Sequence, residues 1–416
     1  MAENQSQLAR SENEAKSTQP PAAPRLDGFR VLVLFGGSEL FGQERANLEV
    51  LRALRELGLE AKFVISWKWG RQQIQPELKR SGFAFIEAPF GYLWGKGLLG
   101  RRFWQLFANL YGILATSWRI FWETRRWKAT HLYASNWTHF LYAAPAVALL
   151  RLPLLFRAGD ELPMHSAFHR KISRSLFRRV ACFVCNAVFL QHRLTALGVP
   201  ASRLRVIYNQ PPRRSPQGPT VSPSAPAGAC VLLYIGQVTT HKGVPELVEA
   251  VVALLKKGRN IVLWIAGGSR WEDKLTCELK EKGRQMELAQ TIHFLGYLEN
   301  IPDLLRHAHI HVCPSTWNEP SPNVIFEAKQ ESVPTVAFRV GGIPELIEHK
   351  INGYLCVQKT AEALAEGIDY FVTHPSERLK AGKAARRSLE EKFSYERFRR
   401  EWAEVFLRTS VGTGES

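Results

Sequence analysis

Cysteine is scarce in this chain. Six residues in 416 cannot make a disulfide framework, and only Cys182 and Cys185 stand close together, inside the apolar run Val180–Cys185. No second pair completes a zinc site, so the run reads as a buried strand in a protein of a reducing, cytoplasmic compartment. Aspartate is almost as scarce. The five (Asp27, Asp160, Asp273, Asp303, Asp369) never form D-x-D, the pair that clamps a divalent cation, and no metal is expected. Long apolar runs are missing too: no stretch reaches about 18 uncharged apolar residues. Phe103–Trp118 contains Gln, Asn, Ser and Thr, and Phe140–Phe156 is interrupted by Arg151 and two prolines. No spanning helix is expected. The opening residues lack an apolar core segment, so no secretory signal is read there and 1–26 are expected to be a disordered tail.

What the chain does have is basic charge and tryptophan, both unevenly placed. The formal charge is +17; residues 1–214 hold 31 Lys and Arg against 14 Asp and Glu, whereas 215–416 hold 24 of each. One half alone therefore calls for an anionic partner: nucleic acid, a membrane surface or an acidic substrate. Five of the 12 tryptophans (Trp94, Trp104, Trp118, Trp122, Trp127) fall within 91–128, flanked by Arg101-Arg102 and Arg125-Arg126-Trp127-Lys128. Rings beside a basic rim suit a helix lying on an anionic membrane surface. The plain alternative is that Phe103, Leu106, Phe107, Leu110 and Leu114, at helical spacing, face a core, and both can hold on one helix. No zinc-finger, RNA-recognition or helix-turn-helix pattern accompanies the charge, so nucleic acid is not expected.

The length favours two or three domains. A linker reads at 210–228, with six prolines and no apolar period. The chain opens alike on both sides of it. Arg30–Phe35, Gly36-Gly37 and a helical pattern from Gln43 to Leu57 are matched by Val231–Ile235, Gly236 and a pattern from Pro245 to Lys257. Further β-rich runs alternate with helical stretches: 61–65, 84–88, 131–133, 154–156, 181–185 and 204–207 in the first half, 261–266, 292–295, 310–313 and 335–338 in the second. The fold class expected is α/β, two doubly wound Rossmann-like domains (27–209 and 229–392) facing each other across a cleft. A helix at 393–409 is free to cross back to the first domain, because Tyr395, Phe398, Trp402, Val405 and Phe406 make one apolar stripe. Ligands of such sheets bind at the carboxyl ends of the strands.

The segment Ser315–Ala328 carries the most chemistry. It follows a strand and holds Glu319 and Glu327, with seven residues between them. A helix starting near Asn323 points the free N–H groups of Asn323 and Val324 at the cleft, a site for phosphate. Glu327, one turn in, is placed to accept two ribose hydroxyls, and Glu319 to reach a sugar ring. Taken alone, two solvated surface acids are the plainer reading. The arrangement nevertheless resembles the E-x7-E motif of family 4 retaining glycosyltransferases of the GT-B fold (glycosyl transferases group 1). Gly42-Gln-Glu-Arg45 resembles that family's GGxER opening, Arg203–Asn209 the close of its first domain, Gly236–Gly243 its G-R-…-K-G loop, and Val340–Ile347 with Asn352–Leu355 its vGGipEli…nGyl segment.

The resemblance implies a nucleotide-sugar donor, a saccharide or lipid-linked acceptor, retained anomeric configuration in glycan or polysaccharide synthesis, no metal or other cofactor, and peripheral attachment at the cytosolic membrane face. It implies donor binding by Gly42, Gln237, Lys242, Asn323, Val324 and Glu327, and catalysis by Glu319, Lys242 and Asp160. Lys242 sets a fixed cation where a leaving diphosphate gains charge. Two positions depart from the family: Gln237 stands for an arginine and Gly159 for a histidine. Arg270 is the expected compensating cation, and Asp160 or His165 the group that orients acceptor or sugar. Asp160 serves equally as a helix cap. An epimerase or phosphorylase on the same fold, or a non-catalytic scaffold, are the alternatives. His307, His309 and His311 read as structural residues alternating along a strand.

Overall fold

The computed structural model describes residues 22–411 except 37–39, 68–70, 72, 91–98, 163–172, 212–224, 269–272, 286–287 and 299. The apolar runs form two parallel sheets. The first has seven strands, β1 (Arg30–Phe35), β2 (Glu60–Ser66), β3 (Ala84–Ala88), β4 (His131–Ala134), β5 (Leu154–Ala158), β6 (Val180–Cys185) and β7 (Leu204–Val206), in the order β3-β2-β1-β4-β5-β6-β7. The second has six, β8 (Cys230–Ile235), β9 (Ile261–Ala266), β10 (Ile292–Gly296), β11 (Ile310–Cys313), β12 (Thr335–Phe338) and β13 (Gly353–Cys356), in the order β10-β9-β8-β11-β12-β13. Runs such as Val-Leu-Val-Leu-Phe lack polar alternation because both faces are covered, as parallel sheets require. Helices lie on both sides, and each sheet carries an apolar cluster on each face. The expected doubly wound α/β architecture with two domains is what the chain adopts.

Both sheets reverse direction beside their first strand. Val31 of β1 pairs with Ala61 on one side and His131 on the other, and β8 likewise lies between β9 and β11. At such a reversal the neighbouring crossovers diverge and leave a crevice at the carboxyl ends. The helices that bear on the site are α1 (Gly42–Glu56), α2 (Leu99–Trp127), α3 (Trp137–Leu150), α4 (Val188–Ala196), α5 (Val244–Lys256), α6 (Asn323–Gln330) and α7 (Tyr395–Val411). Helix α7 closes the first domain. Its Phe398, Trp402, Val405 and Phe406 are buried in one cluster with Val31, Val33, Leu48 and Leu51, and the Tyr395 hydroxyl donates to Glu56 at 2.9 Å.

Several expectations need correction. Leu26, expected in a disordered tail, is fully buried and its N–H donates to Leu57 O at 2.7 Å, so packing starts before Asp27. Gln210, assigned to the linker, is buried and donates to Phe393 O at 2.9 Å. Strand β13 was not anticipated, because a four-residue strand opening on glycine has no readable period. The three histidines do not share a strand. His307 ends the helix Ile301–His307, His309 accepts from Val231 N at 2.9 Å, and only His311 lies in β11, bonded to Thr335 at 3.0 Å. Cys182 and Cys185 sit in β6, where burial pushes their thiols up to about 11 and about 12.

Helix α2 is inverted relative to an ordinary surface helix. Thr116, Ser117, Ile120 and Thr124 are buried against the domain, and Ser117 donates to Tyr142 O of α3 at 3.0 Å. Phe107, Leu110, Tyr111, Leu114, Trp118 and Trp122 face outward, with Trp118 64% exposed. The core reading therefore fails for Phe107, Leu110 and Leu114. Trp94 and the side chains of Arg101, Arg102, Phe103, Trp104 and Leu106 lie outside the described residues.

Trp402 ties the end of the chain to the first sheet and is completely buried. Trp402→Ala is expected to cost about 3–5 kcal/mol, as for other large buried aromatics, measured as a lowered midpoint in urea unfolding; an unchanged midpoint would show that α7 adds nothing to the first domain.

Candidate active site

The carboxyl ends of the two sheets enclose a cavity of about 360 Å³. Gly42, Asp160, Gln237, Lys242, Glu319, Asn323, Val324 and Glu327 all line it, so the structure brings together the eight residues expected to bind the donor or take part in catalysis. Arg270 and His165 lie outside the described residues.

On the second domain, glycines set the loops. Lys242 ends a short 3-10 turn, and Gly243 after it has φ +72; a Cβ there would lie 1.8 Å from Pro314 O. Only glycine permits this approach, which presses the lysine loop against the end of β11. The Lys242 ammonium donates to Glu319 Oε1 at 2.6 Å and lies 5.7 Å from the centre of the Trp317 ring. Ser315 Oγ donates to the other Glu319 oxygen at 2.5 Å. Glu319 is held from behind by Gly341, at φ +54, where a Cβ would lie 2.2 Å from the Glu319 carbonyl. Its carboxylate is thus engaged, where the sequence left it free to reach a sugar ring. The ion pair is four-fifths buried and fixes the cation in place.

Helix α6 begins after Pro322 with no side-chain cap, leaving the Asn323 and Val324 amides at the cavity wall. One turn on, burial pushes the Glu327 carboxyl up to about 7, against the opposing charge of Arg45. No hydrogen bond reaches this carboxylate from the described residues, although it lines the cavity. Glu44, on α1, is also raised to about 7 by burial.

On the first domain, burial raises the Asp160 carboxyl, Glu319 adds to the rise and Lys242 opposes it. Asp160 Oδ1 accepts from Glu161 N at 2.8 Å. Gln237 contributes its carbonyl to the Tyr234 hydroxyl at 2.6 Å. Its side chain brings no charge.

Side-chain amides bridge the domains. Asn209 donates to Ser321 O at 3.0 Å and to Asn323 Oδ1 at 2.7 Å; Asn323 donates in turn to Gly42 O at 2.8 Å. The side chain of Asn323 and the carbonyl of Gly42 are therefore occupied by each other. Arg45 donates to the Tyr297 hydroxyl at 2.6 Å. Glu345 accepts from Val188 N and Phe189 N, both at 2.7 Å, at the start of α4, and from the Tyr208 hydroxyl at 2.9 Å. A carboxylate at a helix N-terminus stabilises that end, so Glu345 locks one domain onto the other. Sequence reasoning gave no role to Glu345, Asn209, Arg45 or Arg157. Arg45, Asn209 and Glu345 do stand inside motifs that carry the resemblance; Arg157 gives no signal beyond a charge in an apolar strand. Among the described residues no cluster of three His, Cys, Asp or Glu is arranged to hold a metal.

Two family models match in succession. A glycosyl transferase 4-like domain matches residues 41–210, and glycosyl transferases group 1 match residues 222–388. An uncharacterized glycosyltransferase of Methanocaldococcus jannaschii is 28% identical over 178 residues, 42% of this chain and 44% of the relative. The lipopolysaccharide core biosynthesis glycosyltransferase LpsE of Rhizobium meliloti is 28% identical over 252 residues, 58% of this chain and 70% of LpsE. The chain thus spans less than half the length of the first of these. The crystal structure of Anabaena HepE in complex with UDP and glucose superposes with a TM-score of 0.74 at 19% identity, covering 91% of this chain and 99% of HepE.

The half-buried, unpartnered Glu327 carries a stability penalty with a definite sign. Its pKa in the folded state, about 7, lies above the ordinary glutamate range near 4.3 reached on unfolding. Its favourable contribution is therefore complete below about pH 4.3 and is lost as pH rises through about 7. Glu327→Gln is expected to stabilise the protein at pH 8 by on the order of 1–3 kcal/mol, with the gain vanishing near pH 4. Denaturant melts across pH measure it; no gain at pH 8 would mean the carboxylate is adequately solvated.

Proposed function

Because the chain belongs to the group 1 glycosyltransferases of the GT-B fold, we propose that it moves a sugar from a nucleotide-sugar to a saccharide or lipid-linked acceptor, with retained anomeric configuration and without metal. The observation that carries this reading is Glu327, a half-buried acceptor without a donor, one turn behind the uncapped start of α6 and in the same cavity as Lys242. A ribose supplies two hydroxyl donors to that carboxylate. The diphosphate then lies against the Asn323 and Val324 amides and the Lys242 ammonium, with Gln237 adding a neutral hydrogen bond. UDP is the first nucleotide to try, because HepE was crystallised with UDP and glucose. LpsE, named for lipopolysaccharide core biosynthesis, favours a lipid-linked saccharide acceptor.

The chemistry needs little from side chains. The bond between the anomeric carbon and the diphosphate oxygen breaks, and the acceptor oxygen attaches on the same face. The acceptor proton passes to the departing phosphate oxygen, so no protein nucleophile is used. Lys242 matters most when that oxygen carries its largest charge, and its pairing with Glu319 means that it need not reorganise to do so. Glu319, held by Lys242 and Ser315, orients the sugar; Asp160, whose carboxyl burial raises above its ordinary range, takes part on the acceptor side.

The outward stripe of α2 fits the membrane surface. Six large apolar side chains are exposed along it, and Arg119, Arg125 and Arg126 stand on the same helix. No described helix is long and apolar enough to cross a bilayer, so the attachment proposed is peripheral and on the cytosolic face. It brings a lipid-linked acceptor to the first domain.

Two tests follow. Lys242→Met is expected to lower sugar transfer by about 10²–10³-fold, the range for losing one group at a developing oxyanion, in a protein that still unfolds cooperatively but melts lower because Glu319 loses its partner; transfer at the wild-type rate would remove Lys242 from the site. In flotation with vesicles containing anionic phospholipid, the double variant Trp118→Ser with Trp122→Ser is expected to stay at the bottom where the wild type floats. Flotation of both would contradict membrane docking through α2.

A further inference from the structure

Arg157 is a cation buried without a counter-ion. It stands in β5, whose five residues are all buried, and is itself 2% exposed, yet it lines the cavity. One nitrogen, Nη2, donates to Asn209 Oδ1 at 2.5 Å. The other, Nη1, has no hydrogen-bond partner. Among the described residues no carboxylate lies within ion-pair distance. Glu44 is the carboxyl whose charge Arg157 feels, and burial holds it near half-protonation at neutral pH. A guanidinium in this position is costly unless a ligand completes it.

The surroundings are those of a built subsite. Gly159 lies directly beside the open nitrogen: a Cβ at that position would be 3.4 Å from Arg157 Nη1. Glycine puts no side chain between the guanidinium and the cavity that both residues line. Two more buried polar atoms without partners belong to side chains on the same cavity wall, Asn186 Oδ1 and Ser321 Oγ. Both are tied to this spot. Asn186 Nδ2 donates to Gly159 O at 3.4 Å, and the Ser321 carbonyl accepts from Asn209, which also holds Arg157. Three unsatisfied polar groups on residues that line one cavity call for partners that a polar ligand supplies.

We propose that Arg157, with Asn186 and Ser321, forms a subsite for an oxyanion, carboxylate or phosphate, carried by the acceptor saccharide. Arg157 Nη1 and the Ser321 hydroxyl donate to the oxyanion, and the Asn186 carbonyl takes a neighbouring hydroxyl. A planar guanidinium suits either oxyanion. The acceptor is favoured over the donor because Arg157, Gly159 and Asn186 belong to the first domain, at the ends of β5 and β6, with only Ser321 reaching in from the second, whereas Lys242 and the α6 amides belong wholly to the second. The word acceptor rests on the transferase reading; the oxyanion subsite does not.

The test compares three probes by saturation-transfer NMR without nucleotide: methyl β-glucuronide, glucose 6-phosphate and the neutral methyl β-glucoside. Wild type is expected to bind one charged probe about tenfold tighter than the neutral one, the scale of a charge-assisted hydrogen bond, and the probe preferred tells carboxylate from phosphate. Arg157→Met removes the charge. Gly159→Val keeps the arginine but covers it, at a position without left-handed backbone, so the test survives if the first variant fails to fold. Both are expected to abolish the preference while UDP affinity, read by calorimetry, stays unchanged. Equal affinities in wild type, or a preference that survives in either folded variant, would overturn the subsite. UDP affinity lost in both variants would overturn its assignment to the acceptor. Failure of wild type to bind UDP at all would count against the donor reading and leave the saccharide comparison intact.

Discussion

The contact on which the rest depends is the amide pair Asn209–Asn323 across the cleft. Each domain has its own sheet and its own apolar clusters, so nothing in either core sets the distance between donor and acceptor faces. Asn209, just past β7, bonds to Asn323 at the first position of α6, and Asn323 bonds to Gly42 at the first position of α1. One chain of neutral hydrogen bonds therefore aligns two helix N-termini on one cavity. Amides suit the task because each donates and accepts at once. They also add no charge to a space meant for an anion. Glu345, bonded to the amides of α4, makes a second tie beside the first.

Within that frame the charges are deliberately unbalanced. Lys242 is neutralised by Glu319 and held ready, so it spends its charge on a ligand only by sharing it. Glu327 and Arg157 are the opposite case: Glu327, half-buried, receives no hydrogen bond from the described residues, and Arg157, fully buried, has one nitrogen without a partner and no counter-ion. Such groups lower the stability of the empty protein and gain their partners from what binds. The cavity thus holds an acceptor that awaits hydroxyls on the second domain and a donor that awaits an oxyanion on the first.

Much of this was legible in the sequence. Parallel strands are buried on both faces and read as unbroken apolar runs, so the two sheets and their order of appearance could be marked out. Glu319 and Glu327 were recognisable from their spacing and from the resemblance around them. What escaped has physical reasons. Helical spacing tells which residues of α2 share a face, but not which face is inward, and the aromatic face turned out to be outside. The work of Glu345 depends on where α4 lies, about 150 residues earlier in the chain. Arg157 interrupts an apolar strand by one residue, which has no period; only the packing reveals that its nitrogen is open. Leu26 is a single apolar residue after a polar stretch, too little signal to mark the start of packing.

The central claim is that the cavity binds a nucleoside diphosphate through Glu327 and the start of α6 without metal. Calorimetry with UDP, GDP and ADP in the presence of EDTA tests it most directly, on wild type and on Glu327→Ala. The account predicts that one nucleotide binds wild type in the micromolar range and that this binding is lost in the variant. Binding of none of the three by the wild type, or equal binding by both proteins, would contradict it.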